Sequence, residues 1–517
     1  MTAINFPPLS LLVLLPLVAA LLTAFSRPPL PAKMLALAAT ALELLLSIWV
    51  LFRFDPGNSR FQLVEHYPWM PDLQIGFMFG LDGIAVLFVP VAALLVLMTV
   101  LAGWHSVQTR PKLYYGLLLM LESMAMGVYL TLDTINFLLF WELTLPPLFL
   151  LTGLWGIGAW HRGAAMKLGL TLLAAAIPLL FAFVMLAANH ADQNGGDLTA
   201  TLAFTLPALM ETPVPYSLQT QVFPLLLLGF AVTAPLVPFH TWLSSATMEA
   251  PIAVATLLLG LKLSVFGILR YAMQLTPAAA VEYSWVLGIL GGITLIYASL
   301  VAMQQTSLRR MLAYAGTGHT GLAIIGISAL NVQGLQGAIL LLLNFTVSAS
   351  CLMLITGFIH ARLGSSEAVH LGGLAGAMPR LTGFFLLFTA VGLGMPGTSG
   401  FPAELLLIFG AMIAHPSLAI TAVAGLVFTA AYTLPMLRRV FWGPARHPAI
   451  TRAQDLKPRE LAVLALPAVL ALWLGFFPGT TLNLTKNAAE AWLNRLTTPA
   501  FFSAPGHTRP AVGQAKL

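Results

Sequence analysis

Charge is what this 517-residue sequence has least of: Asp, Glu, Lys and Arg make up 8% of it, against 59% hydrophobic residues. An ordinary globular protein is about one quarter charged. A water-facing surface for a chain of this size is therefore excluded, and most of the exterior must meet lipid. Cysteine is nearly missing too. The single Cys351 excludes an internal disulfide, a cysteine-based zinc site and an iron–sulfur cluster held by this chain. Its apolar surroundings read as those of a small buried hydrophobe. Dense basic patches are lacking as well: the net charge is +6, but 24 Lys and Arg spread along the chain make no nucleic-acid footprint. The N-terminus has no basic leader, and Leu9 to Phe25 lacks a cleavage signal, so it reads as a first span.

Long apolar runs are what the sequence does have. A bilayer core needs about 20 mostly apolar residues per helix. Fourteen stretches qualify: 9–25, 33–52, 84–104, 114–131, 135–155, 165–188, 223–239, 252–273, 283–303, 311–330, 334–359, 381–413, 418–437 and 460–477. The longer connections are 53–83, 189–222, 360–380 and 438–459. Sixteen Lys and Arg, from Arg27 and Lys33 to Lys457 and Arg459, fall in or beside the odd-to-even connections. The even-to-odd connections hold Arg53, Arg60 and Arg270. This bias predicts that the odd-to-even connections are cytoplasmic and both termini lie on the outer side. Residues 483–496 read as a short interfacial amphipathic helix with Trp492 and Leu496 turned inward. Three regions follow: 1–83 with two spans and an outer loop, a core over 84–440, and 441–517 with the last span and the tail.

Two spans carry breaks. Span 7 contains Ala234-Pro235-Leu236-Val237-Pro238, and span 12 contains Met395-Pro396-Gly397-Thr398-Ser399-Gly400. Proline removes a backbone donor, and freed carbonyls survive at membrane depth only where protein or water meets them. Breaks five spans apart suggest inverted repeats of spans 4–8 and 9–13, a transporter arrangement; two ordinary proline kinks are the plainer alternative. Gly392-Leu393-Gly394-Met395-Pro396-Gly397 spells a dinucleotide-binding pattern, but it lies in an apolar span with no strand before it, so it is rejected.

Charges in hydrocarbon cost at least ~2.5–3.5 kcal/mol each on insertion scales, so they usually mark function. The spans contain Glu43, Glu122, Glu142, Glu404 and Lys262. Glu142 stands far from either end of its span, and Lys262 is read as mid-helix, too deep to snorkel. Either side chain alternatively finds a partner on a neighbouring helix. Glu404 follows the span 12 break, where a half-helix N-terminus favours an anion. Glu43 is open between a structural and a functional reading. His240 follows the span 7 break and His319 lies in span 10; an imidazole suits proton relay, although one in a bundle can be merely hydrogen-bonded. Acid, base and imidazole on successive spans predict an ion path along the midplane.

Particular stretches carry a resemblance. Gly80-Leu81-Asp82-Gly83-Ile84, Tyr114-Tyr115 through Leu121-Glu122, Phe140-Trp141-Glu142 and Pro235 through Leu243 resemble the antiporter-like subunit M of respiratory complex I. So do Glu249-Ala250-Pro251, Arg310-Met311-Leu312-Ala313-Tyr314 with His319, Gly372-Gly373-Leu374, and Gly397-Thr398-Ser399-Gly400-Phe401 through Glu404. The resemblance covers roughly residues 80–440. It implies paired inverted five-helix repeats and a subunit that moves protons in the membrane arm of NADH–quinone oxidoreductase, with quinone reduced elsewhere. By this match Glu142, Lys262 and Glu404 are the glutamate of span 5, the central lysine of span 8 and the glutamate of span 12, and Glu122 is a second carboxylate. No cofactor or nucleotide is expected on this chain, and other membrane subunits of a complex I-like assembly are its expected partners.

Three positions depart from the pattern. Thr233 stands where the family has a span 7 lysine that pairs with the span 5 glutamate. Leu243-Ser244-Ser245-Ala246-Thr247 lacks the family's aspartate and histidine, the latter at Thr247. Phe345 stands where span 11 has a histidine, so the relay from Lys262 towards Glu404 must cross by water, Asn344 or His319. These departures keep two alternatives open: the membrane subunit of a non-respiratory complex (inorganic-carbon uptake, a hydrogenase or a multisubunit cation/proton antiporter), or a spacer that no longer pumps.

Overall fold

The computed structural model describes residues 6–26, 29–196 and 201–497. Within them the chain is an all-α polytopic membrane protein. Twelve helical segments are long and apolar enough to cross a membrane, from Pro8–Phe25 to Pro458–Phe476. The Leu308–Ser328 helix is too polar to join them, since it carries Arg309, Arg310, His319 and two mid-helix threonines, Thr317 and Thr320. It is nonetheless buried along almost its whole length, wedged between its neighbours. A Cβ on Gly291 would stand 2.7 Å from the Gly321 carbonyl, so the Ser284–Met303 and Leu308–Ser328 helices touch backbone to backbone. Span 12 is two shorter helices, Pro379–Gly392 and Gly400–Ala414. Arg27 and residues 498–517, part of the orientation and tail readings above, lie outside the described residues.

The breaks are more numerous than the proline pattern suggests. Span 7, expected at 223–239, is a helix at Tyr216–Thr233, a turn, and a half-helix at Thr241–Glu249. Its start was hidden by Gln219, a polar residue whose amide donates to the Val214 carbonyl and whose oxygen accepts from the Ala278 amide, so it costs little when buried. Span 5 is not continuous. Thr134–Leu143 ends beside Thr144, and Leu145–Trp155 restarts on Pro146 and Pro147, where a missing donor is harmless. Span 8 also breaks: Ile252–Gly260 stops, Leu261 and Lys262 leave helical geometry, and Leu263–Gly267 resumes into a π-helical turn at Ile268–Ala272. Glu142 is thus beside a helix end, and Lys262 is not mid-helix.

Two further readings need correcting. The 53–83 connection, taken as a plain outer loop, contains an antiparallel hairpin of Gln62–Met70 and Ile75–Leu81. Glu65 on the hairpin accepts from the Leu9 and Ser10 amides at 2.8 and 2.9 Å, satisfying orphan donors at the start of the first helix. Arg270, assigned to a connection, lies in the π-helical turn and is 1% exposed. Its guanidinium pairs with Asp82 at 2.5 Å, donates to the Tyr129 carbonyl and sits over Phe266. Asp82 in turn accepts from the Ala85 amide at the head of the Ala85–Ala102 helix. The tail helix runs over Gly479–Thr497, with Trp492 and Leu496 buried as expected. Trp492 donates to the Leu269 carbonyl, so the helix is docked on the broken span 8.

Removing one member of the Arg270–Asp82 pair strands the other charge in apolar surroundings. Arg270→Met is expected to lower stability by about 3–5 kcal/mol, read as a fall in thermal midpoint in detergent. Adding Asp82→Asn, which keeps an acceptor for Ala85, should recover most of that loss. A single variant as stable as the parent would contradict this reading.

Candidate functional site

The freed backbone of the breaks sets out the site. Helix Val332–Leu363 passes both the span 8 and span 12 breaks and is buried along nearly its full length. Three consecutive residues on it meet them. Thr346 donates to the Gly260 carbonyl at 2.7 Å, a proton it shares with its own helix at Leu342. Asn344 donates to the Val391 carbonyl at 3.4 Å and accepts from the Ser399 hydroxyl at 2.5 Å. Between them Phe345 turns its ring to Lys262, whose Nζ lies 4.8 Å from the ring centroid.

On the other side of Phe345 is His319, its imidazole stacked at a centroid distance of 4.2 Å. Nδ1 of His319 is 2.9 Å from the Ala315 carbonyl, and Nε2 is 3.3 Å from the Gly392 carbonyl at the end of the first span 12 half-helix. The neutral ring donates to one of these and the imidazolium to both. Beyond the break, Glu404 is buried with Oε1 unbonded among the described residues. Its other oxygen lies over Gly394, which has φ +60°; a Cβ there would stand 1.9 Å from Oε2. Only glycine fits that backbone and that approach. Lys262, Phe345, His319 and Asn344 therefore form one contiguous cluster running from the span 8 break to the span 12 break, where Glu404 lies over Gly394.

Glu142 faces a different side. It borders a cavity of about 80 Å³ with Trp141, Thr233, Leu261, Leu263 and Ser264. One water needs roughly 10–15 Å³ on the same scale, so there is room for several. The cavity reaches the residues flanking Lys262 and so joins the spans 5, 7 and 8 breaks. Thr233 contributes no charge: its hydroxyl is 3.1 Å from the Gly229 and Phe230 carbonyls of its own helix. Glu142 makes no ion pair among the described residues, and its Oε1 has no partner there.

The remaining expected residues fall outside this line. His240 sits edge-on to Tyr297 at 5.0 Å, with Tyr314 at 6.1 Å, so it packs on spans 9 and 10 and not on Lys262. Glu122 is fully buried, with both oxygens unbonded among the described residues; Glu43 is in the same state and within electrostatic reach of it. Thr247 turns its hydroxyl back to the Leu243 carbonyl. Its own carbonyl and that of Ala250 each accept from Arg309 Nη2 at 2.6 Å. Arg309, read from sequence as a loop cation, is 2% exposed and closes the end of the span 7 half-helix. Thr346 and Arg309 were missed because a hydroxyl or a guanidinium aimed at a carbonyl leaves no periodic signal.

Broken spans, charges at the breaks and a small, mostly apolar cavity that Glu142 borders define a class of antiporter-like membrane subunits. Residues 131–429 match the family described as NADH:quinone oxidoreductase/Mrp antiporter, TM, and the chain belongs to that family. It is 34% identical to NADH-quinone oxidoreductase subunit M of Rhodobacter capsulatus over 489 residues, covering 92% of this chain and 94% of that protein. It is 32% identical to NAD(P)H-quinone oxidoreductase chain 4 1 of Synechococcus sp. (strain JA-2-3B'a(2-13)), over 98% of this chain and 97% of that one. A chain of respiratory complex I from Thermus thermophilus with bound NADH superposes with a TM-score of 0.85 and 30% identity, covering 95% of this chain and all of that one. A chain of the Mrp complex from Dietzia sp. DQ12-45-1b shares the fold, with a TM-score of 0.82 at 22% identity.

If Thr346 holds the span 8 break, Thr346→Val leaves the Gly260 carbonyl without its side-chain partner. A loss of about 1–3 kcal/mol in stability is expected, while Thr346→Ser keeps most of it. Thermal midpoints of the purified chain check this; equal loss in both variants would assign the effect to packing instead.

Proposed function

We propose that this chain is the M-type subunit in the membrane arm of an NADH–quinone oxidoreductase, and that it moves protons while electron transfer takes place in other subunits. The observation that carries the reading is the continuous cluster from Lys262 through Phe345 and His319 to the span 12 break and Glu404. Lys262 carries the mobile proton. Glu142, across the cavity, changes its charge as it gains or loses a proton, and that change biases the hold of Lys262 on its own proton. His319 and Asn344 bridge the break, and Glu404 receives the proton beyond it. Water in the cavity serves the Glu142 side; on the other side the ring of Phe345 bars a direct hop, so the proton passes around it.

The same reading places the chain in a bacterial inner membrane, with fourteen crossings once Leu308–Ser328 and the span 12 pair are each counted as one. It also takes spans 4–8 and 9–13, within 84–440, as inverted repeats. The charge bias of the connections supports cytoplasmic odd-to-even loops and termini on the outer side. Its partners in this reading are the other membrane subunits of the assembly.

A second reading has a specific observation behind it. Glu142 lacks a cation because Thr233 occupies the lysine position, and Phe345 interrupts the relay. Both suit the membrane subunit of a non-respiratory assembly with altered coupling. Co-purification separates the two: quinone-reductase subunits favour the first, and a soluble carbonic-anhydrase-like or hydrogenase partner favours the second.

Glu142→Gln and Lys262→Ala, each in the complex reconstituted into vesicles, are expected to reduce the protons moved per electron pair. Unchanged stoichiometry in both variants would overturn the assignment of these residues.

A further inference from the structure

At one end of the bundle two loops meet: residues 364–373, after helix Val332–Leu363, and 442–457, after helix Pro416–Phe441. They are in backbone contact, since a Cβ on Gly372 would stand 2.7 Å from the Pro444 carbonyl. Between them lies a cavity of about 310 Å³ whose polar lining is Ser365, His370, Arg446 and His447. Among the described residues no carboxylate lines it.

Each basic group is held in place. Arg446 donates from Nη1 to the Val369 carbonyl at 3.3 Å, which spans the guanidinium across the two loops and leaves its remaining donors available. His447 accepts from the Ala449 amide through Nδ1 at 3.1 Å, so its neutral ring carries the proton on Nε2 as a donor. His370 Nδ1 lies 3.1 Å from the Ser365 hydroxyl. Nearby acids are already engaged. Glu367 accepts from Thr306, Asp455 from the Arg380 and Leu381 amides, and Glu460 pairs with Arg362 at 2.5 Å. Arg438 and Arg439 in the last turn of the adjoining helix add positive charge. Val369, which lines the cavity, is 52% exposed, and Trp442 at the end of the adjoining helix is 45% exposed; tryptophan beside a helix end is typical of the membrane–water interface.

We propose that this cavity binds a phosphate group, the chemistry shared by an anionic phospholipid headgroup and free phosphate. The guanidinium fork of Arg446 matches two phosphate oxygens, Nε2 of His447 donates to another, and the hydrogen-bonded Ser365–His370 pair has one further proton to donate. The site lies apart from the Glu142–Glu404 cluster and does not depend on the function proposed above.

The test uses the full chain in its purified, delipidated complex. Phosphatidylglycerol retention is followed by native mass spectrometry, and binding of radiolabelled inorganic phosphate by equilibrium dialysis. Wild type should bind one of these probes saturably, and Arg446→Gln combined with His447→Gln should weaken it about tenfold or more, a change of about 1.4 kcal/mol. Arg446→Lys, which keeps the charge and loses the fork, should fall between, with thermal midpoints confirming that all three fold. Saturable phosphatidylglycerol that phosphate does not displace identifies the lipid source; saturable phosphate alone identifies the soluble one. Equal binding of both probes by wild type and the double variant overturns the proposal.

Discussion

A carbonyl released from a helix inside a membrane protein finds no bulk water, and leaving it unpaired costs several kcal/mol. This constraint governs the architecture around the buried charges. Spans 5, 7, 8 and 12 are all interrupted, and at spans 7, 8 and 12 a side chain from elsewhere in the fold meets the freed backbone. Thr294 accepts from the Val237 amide in the span 7 turn, Thr346 takes Gly260, and Asn344 with His319 takes Val391 and Gly392. Because residues 344 to 346 are consecutive on one buried helix, the breaks beside Lys262 and Glu404 are fixed relative to each other. The geometry that makes breaks tolerable is also what brings the ionisable side chains into one line.

Electrostatics divides the buried charges into two kinds. Arg270 and Asp82 are paired at 2.5 Å, hydrogen-bonded and packed on aromatic rings, and they tie the π-helical turn of span 8 to the head of span 3. Such a pair fixes structure and carries no free charge. Lys262, Glu142 and Glu404 have no such partner among the described residues. Their arrangement instead couples a cavity with room for water, an aromatic face and backbone carbonyls, all of which tolerate a change of protonation. Thr233 is the telling position: where the resemblance leads one to expect a cation, this chain has a hydroxyl turned back on its own helix.

Much of this was legible in the sequence because lipid imposes a crude rule. Apolar length located nearly every crossing, and scarcity of charge made Glu142, Lys262 and Glu404 conspicuous. Family motifs then suggested the roles proposed for them. What was not legible follows from local chemistry. The span 8 break contains no proline, so nothing in Leu257-Leu258-Leu259-Gly260-Leu261-Lys262 announces it except one glycine. The span 5 break hides behind Pro146 and Pro147, which are equally at home in the first turn of a new helix. Arg270 and Arg309 read as loop cations because a charge near a span end is usually solvated; their partners, Asp82 and two carbonyls, are distant in sequence. The hairpin at 62–81 was invisible because its strands alternate poorly between polar and apolar.

The central claim is that the breaks hold Glu142 and Glu404 in an interior that water reaches. Infrared difference spectra of the carboxyl stretch, with bands assigned by Glu142→Gln and Glu404→Gln, test it directly on transfer to heavy water. The account predicts that both bands shift within minutes. Bands that stay unshifted over hours, as for carboxyls sealed in dry packing, would contradict it.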